Sequence, residues 1–376
     1  MTESRNSRSV RGFDACLEMT YMNCNNNNPF LNIIKMKNVK QSILLLFLVT
    51  IFFGCGKDDP ATSKTKDVYV AGYSIINYNN VFLRCATLWK NGEPLYFGNS
   101  KGESELNDIF VVGSDVYAVG YDKSLSGNQI AKIWKNGVAS NLSDGLINEN
   151  ALAIKVAGSD IYVLGRESKN FSTLIKFWKN GVATNVKNAT PQDNANGFFV
   201  FGNDVYMYGY RRSGTETFAK YWKNGIATEL TTELSQNVAN DLLVSNNDLY
   251  VVGRKNGIAK CWKNNILITN LIDEDDSYDA KRIMLQGKDF YVVGNDYLNS
   301  VSIIKLWKNG VSIDFPIETN SVLPSDMDIS GSDIYVSGNI DEPGKEIAAY
   351  WKNQVKVVLS KDSVISSTAS AIFVTK

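Results

Sequence analysis

Histidine is absent from the 376 residues, and its absence limits the chemistry open to this chain. Without imidazole there is no Ser-His-Asp or Cys-His pair, no histidine metal ligand and no histidine general base. Carboxylate, lysine, tyrosine and arginine chemistry remain. Cys16, Cys24, Cys55, Cys85 and Cys261 contain no CxxC pair. Neither a zinc site nor a disulfide framework is indicated, and Cys85 and Cys261 are expected to be small buried apolar side chains. One acidic run, Asp273-Glu274-Asp275-Asp276 with Asp279, carries oxygens that suit Ca²⁺. It lacks the spaced Asp-x-Asp-x-Asp-Gly pattern, so Asp273, Asp275 and Asp276 read more readily as a solvated loop. Carboxylate pairs for glycoside hydrolysis are defined by spatial separation, and no pair stands out. No catalytic residue and no cofactor is assigned.

The other candidates follow a motif, acidic-apolar-Tyr-x-x-Gly, whose tyrosines are Tyr69, Tyr117, Tyr162, Tyr206, Tyr250, Tyr291 and Tyr335. The residue after each glycine is large or polar: Tyr73, Tyr121, Arg166, Tyr210, Arg254, Asn295 and Asn339. Tyr78, Arg211, Arg212 and Tyr297 stand nearby. Tyrosine and arginine together favour sugars or peptide, through stacking and directed hydrogen bonds. The competing reading is that these are only strand-end residues. The candidate ligand-binding set is Tyr73, Tyr121, Arg166, Tyr210, Arg211, Arg254, Asn295 and Asn339.

A second repeat runs in register with the first. All seven tryptophans lie in Trp-Lys-Asn, at Trp89, Trp134, Trp178, Trp222, Trp262, Trp307 and Trp351, spaced 40 to 45 residues apart. Each unit reads as four short strands. In one, Ala151–Ala157 alternates and turns at Gly158-Ser159-Asp160, and Ile161–Leu164 is a β-rich run. Thr173–Trp178 follows, with Asn180-Gly181 as a two-residue hairpin signal before Val182–Val186. Four strands repeated seven times predict a seven-bladed, all-β propeller of antiparallel blades. First-type strands are expected near residues 107, 151, 196, 240, 281, 325 and 369. The last would join the first blade and close the ring, removing free edges. The repeated Trp is expected to pack between blades, with the Lys two positions earlier laying its stem on the indole and its ammonium in water. Turns Gly113-Ser114-Asp115 and Asn136-Gly137 are tight and nearly uniform, whereas connections after second and fourth strands vary. One face of the disc is therefore expected to be plain and the other elaborated, with recognition on the latter.

The Tyr-x-x-Gly strand followed by Trp resembles kelch-type propellers over residues 67–376. The paired glycines of kelch repeats are missing, as are the Gly-His and Trp-Asp pairs of WD40 units, and no specific characterised family is matched.

The N-terminus reads as an address. Ser42–Phe53 is an apolar run preceded by Lys37 and Lys40. It is shorter than the about 20 residues that span a bilayer and suits a secretory h-region. Gly54-Cys55 after it resembles a bacterial lipoprotein cleavage site, with Phe52 where leucine is usual, a relaxation found in Bacteroidota lipoproteins. The resemblance implies a diacylglycerol on Cys55. Asp58-Asp59 behind it resembles a surface-export signal of the same group, and reads equally as the start of a solvated linker. Residues 1–35 are expected to be a mis-assigned or disordered extension, 36–54 the signal peptide, 55–66 the lipidated cysteine and linker, and 67–376 the propeller. A formal net charge of zero argues against nucleic acid, whose binders need a strongly basic surface. The expected protein is a monomer on the outer membrane, exposed at the surface, held by lipid and binding glycan or protein without catalysis. The alternative is a secreted carbohydrate-active hydrolase or lyase using Asp, Glu, Tyr, Arg or Lys at the channel mouth.

Overall fold

The computed structural model describes residues 66–376 except 79, 98–102, 170–171, 187, 269–276, 314 and 362. The chain forms seven four-stranded antiparallel sheets arranged as the blades of a propeller. Blade 1 pairs Val364–Val374 with Val68–Tyr78, Val81–Lys90 and Glu93–Phe97. Blades 2 to 7 span 104–141, 148–185, 193–229, 238–268, 277–313 and 321–358. First strands of neighbouring blades touch in cyclic order, including Val364–Val374 against both Ser104–Val112 and Ser321–Ser330. The first strand of each blade is therefore innermost and the ring is closed, as the repeat predicts.

First strands begin two to five residues earlier than the alternation suggests, because each is bulged. The register slips between Leu106 and Asp108, Ala151 and Ala153, Ala195 and Gly197, and equivalently in the other blades. A bulge inserts a residue and breaks period-two alternation. It also explains the repeat glycine. A Cβ on Gly120 would stand 1.9 Å from the Glu105 carbonyl oxygen, and one on Gly209 2.0 Å from that of Asn194.

Every described-blade tryptophan is buried, between 0% and 4% exposed. Each packs into the preceding blade: Trp134 against Leu88 and Ala86, Trp178 against Val119 and Ala131, Trp222 against Leu164 and Ile175. Trp89 closes the circle against Tyr335 and Tyr350 of blade 7. The lysine two positions before Trp follows the indole in blades 4 and 6, with Lys220 and Lys305 at 5.0 and 5.8 Å from the Trp222 and Trp307 rings. Its ammonium is not left to water, however. Lys220 is buried 2.7 Å from Asp193, Lys132 lies 3.0 Å from Asp122 and Lys176 2.6 Å from Glu167. Cys261 is a buried free thiol, which burial pushes up to about 12. Cys85 is buried too, but disulfide-bonded, against the expectation of a free side chain.

The two repeated motifs prove to be one interlocked unit. In blade 2, Asn136 donates through Nδ2 to Asp115 (2.8 Å), and its Oδ1 accepts from the Val116 N–H (2.8 Å). Lys135 lies 2.7 Å from Asp115 and 5.2 Å from the Tyr117 ring centroid. Lys135 and Asn136 hold the Asp115 carboxyl below its usual range. All seven blades repeat the Asn–Asp bond at 2.7–2.9 Å. The turn after first strands and the turn after third strands therefore share one side of the disc, the plain face. Asn136 has φ 51° and Gly137 φ 81°, as a type I′ turn requires. Asn136→Ala is expected to lower the unfolding free energy by about 1–2 kcal/mol, from a lost N–H acceptor and a side chain ill suited to positive φ. Asn136→Gly should lose less, since glycine keeps the turn; equal midpoints in thermal melts of the two variants would show that the turn conformation carries no part of the cost.

Candidate functional site

Residues following the repeat glycines lie at the ends of second strands, opposite the plain face. The structure does not gather all of them. Four fall into two pairs: Tyr73 and Tyr121 meet through Arg84, and Arg166 and Tyr210 line one cavity.

Blades 1 and 2 build the first group. The Arg84 guanidinium sits over the Tyr73 ring at 4.3 Å. Its Nη1 is 3.3 Å from Glu105 Oε2, and it donates to the Tyr121 hydroxyl at 3.5 Å. Tyr121, buried, donates in turn to Glu105 Oε2 at 3.3 Å. Burial pushes the Glu105 carboxyl up, against the opposing pull of Arg84, Tyr121 and Arg166. The strand pairing accounts for the meeting: Glu105 stands opposite Tyr121, one residue beyond the bulge-facing Gly120. Arg84 and Glu105 escaped the sequence reading because neither position repeats. The available signal was local: the inner-strand position of Glu105 is Asn150, Asn194, Val238, Leu323 and Thr368 in five other blades, and only Asp279 shares its charge.

Blades 3 and 4 hold a cavity of about 290 Å³ lined by Asn107, Leu152, Arg166, Thr173, Ile175, Asp193, Asn194, Asn196 and Tyr210. Arg166 is exposed and Tyr210 half-buried. Asp193 is committed, its Oδ1 to Lys220 and its Oδ2 to the Thr190 N–H and hydroxyl at 2.8 and 2.9 Å.

The other candidates serve elsewhere. Arg211 stacks on Phe218 at 4.4 Å and reaches Glu229 Oε1 at 2.7 Å, on the outermost strand of blade 4, away from the mouth. Arg254 donates to the Gln236 carbonyl at 3.2 Å and stands 4.0 Å from Asp279. Asn295 is 2% exposed and donates to Ser302. Asn339 accepts from the Ala369 N–H at 2.7 Å and donates to the Ala369 carbonyl at 3.3 Å, stitching blade 7 to the strand that closes the ring. Asp273, Asp275, Asp276 and Cys55 lie outside the described residues. Asp279, inside them, accepts from Lys281 at 2.8 Å and Asn240 at 2.5 Å. No group of three or more carboxylates or thiols among the described residues is placed to hold a metal ion.

Deeper in the channel, Arg282 lies between two inner-strand carboxylates. Its Nε is 2.8 Å from Asp326 Oδ1 and its Nη1 3.5 Å from Asp241 Oδ1. Each carboxylate also accepts a backbone N–H from the next blade: Asp241 from Ile283 (2.9 Å), Asp326 from Ile372 (3.1 Å) and, equivalently, Asp108 from Ile154 (2.8 Å). Neighbouring inner strands are thus laced together by polar bonds.

No protein-family model and no curated protein matches this chain. Solved structures match it in part, at low identity. An acylaminoacyl peptidase from Pyrococcus horikoshii is 11% identical with a TM-score of 0.47, covering 81% of this chain and 52% of its own. A puromycin-hydrolyzing peptidase from Mycobacterium tuberculosis is 10% identical (TM-score 0.46), covering 68% and 47%. TolB from Acinetobacter baumannii is 12% identical (TM-score 0.44), covering 65% of each chain. This chain spans about half the length of those two peptidases.

Proposed function

We propose that this chain is a surface lipoprotein of the outer membrane, anchored through Cys55, whose propeller binds a glycan or protein at the channel mouth without turning it over. The observation that carries the reading is the asymmetry of the mouth. Arg166 and Tyr210 line a cavity, and Tyr73 and Tyr121 form a charged cluster with Arg84 and Glu105, while the equivalent residues of blades 5 to 7 bind neighbouring backbone and side chains. A rigid ring presenting the Tyr210 ring and the Arg166 guanidinium in one concavity is suited to recognition. The lipid anchor rests on the Gly54-Cys55 pattern and on the stable attachment that several acyl chains give.

One observation favours a second reading, a secreted carbohydrate-active hydrolase or lyase. Glu105 carries a carboxyl raised by burial and shares its proton-bearing neighbourhood with the Tyr121 hydroxyl. Such a pair suits general acid chemistry. Incubation with a glycan panel separates the readings. Retention of a glycan with no new reducing ends or unsaturated products supports the binding protein. Cleavage that disappears in Glu105→Gln, and declines as pH rises through the raised carboxyl pKa, establishes the enzyme and sinks the first reading. For the anchor, radiolabelled palmitate should enter the wild-type protein and not Cys55→Ala; equal labelling of both ends that claim.

A further inference from the structure

The cavity between blades 3 and 4 has a charge balance that its lining alone does not suggest. Asp193 is spent on Lys220 and Thr190. Glu149 and Glu167, on the same blade as Arg166, are both held by Lys176, at 3.7 and 2.6 Å. The Arg166 guanidinium makes no hydrogen bond or ion pair among the described residues, and its charge is felt at Glu105. It is the one cation in the cavity lining, and a free guanidinium fork matches a carboxylate.

The rest of the lining offers carboxamide oxygens to hydrogen-bond donors. Asn107 has its amide nitrogen fixed by Asn150 Oδ1 and the Ala151 carbonyl, each at 2.7 Å. Asn196 has its own fixed by the Ala239 carbonyl at 3.0 Å. Asn107 is left with its carboxamide oxygen, which can only accept, and Asn196 with its oxygen and one N–H. Tyr210 adds a ring for stacking, and Leu152 and Ile175 an apolar floor. A ligand combining a carboxylate with several hydroxyl donors satisfies this set. An acidic peptide brings the carboxylate and one backbone N–H per residue, whereas a uronic acid ring sets two or three hydroxyls close beside its carboxylate. The volume, about 290 Å³, lies at the small end of ligand pockets and suits a single sugar ring with its neighbours outside.

We infer that this cavity binds an acidic glycan, seating one uronic acid residue with its carboxylate on Arg166 and its hydroxyls on Asn107 and Asn196. The inference rests on the binding function proposed above and names its ligand class. It is tested by calorimetric titration of the full propeller with tetragalacturonate, with galactotetraose as the neutral counterpart and pentaglutamate as the acidic peptide. The uronate should bind at least tenfold tighter than the neutral sugar. Arg166→Gln should abolish that preference without changing the melting temperature, since Arg166 is exposed. Lys169→Gln, a charge loss at the exposed tip of the same strand, should preserve it. Equal affinity for acidic and neutral sugars overturns the inference and leaves a glycan-binding propeller standing. Arg166-dependent binding of pentaglutamate with none of tetragalacturonate overturns it in favour of a protein ligand. Binding of none of the three overturns both this inference and the glycan arm of the proposed function.

Discussion

Gly209→Ala is expected to lower the unfolding free energy by about 3 kcal/mol or more, the upper range for overpacking a core. The added Cβ would stand 2.0 Å from the Asn194 carbonyl oxygen and 3.0 Å from Ala195 Cα. Both are backbone atoms of the innermost strand, so no side chain can swing aside. Relief would require flattening the bulge between Ala195 and Gly197, and with it the seating of blade 4 against its neighbours. Gly214→Ala is the matched control, because its Cβ meets open space and only φ of +62° opposes it. That change should cost about 1–2 kcal/mol. Urea denaturation of the two variants distinguishes the causes. Equal losses would mean that close approach of the inner strand is not why glycine recurs there.

Removing Arg282 should be comparably severe. Arg282→Met leaves Asp241 and Asp326, 4% and 6% exposed, without their cation, a change that costs about 3–5 kcal/mol for a buried pair broken on one side. The loss should depend on pH in a defined direction. Burial already raises the Asp241 carboxyl in the folded protein, and Arg282 opposes that rise. Without Arg282 the folded-state value climbs further above the unfolded one. A carboxyl raised on folding binds more protons when folded, so its favourable contribution is complete below the unfolded value, about 3.9, and is lost as pH rises through the folded value. The variant should therefore approach wild type in mildly acid solution and fall furthest behind it at neutral pH. Arg282→Met combined with Asp241→Asn should recover part of the neutral-pH loss. A deficit that stays constant from pH 4 to 7 would show that lost packing, not stranded charge, is responsible.

The features legible in the sequence were those that every blade needs. Trp89 to Trp351 recur because each blade must be plugged into the one before it, and the incomplete unit at each end spelled out ring closure. Even there the reading was partial. The lysine after each tryptophan and the asparagine after it looked like turn furniture, yet both grip the aspartate that opens the second strand. Reading that bond needed the two strand ends side by side. The mouth was harder for the opposite reason. Arg84 and Glu105 stand at positions where no other blade has the same residue, so repetition gives no register for them. Averaging over the repeat also hid differences between equivalent positions. Tyr210 and Asn339 each follow a repeat glycine, but only Asn339 finds the backbone of the closing strand within reach. Bulges added a further loss, since the extra residue inverts the apparent in-out pattern of each inner strand.

Asp67, at the head of blade 1, binds Asn91 and Lys90, so the described chain enters the ring through the plain face. Thr375 ends beside it, with its N–H on the Asp67 carbonyl at 2.9 Å and its hydroxyl accepting from the Asp67 N–H at 2.8 Å. The disc therefore has its handle at the back. Held by a tether before Asp67 or by a tag after Thr375, on a cell or on a sensor chip, it would turn the Tyr73–Arg84–Glu105 side outward to the bulk solution. Immobilisation through either end should leave the mouth free, whereas coupling through lysines would scatter orientations and sacrifice some of it.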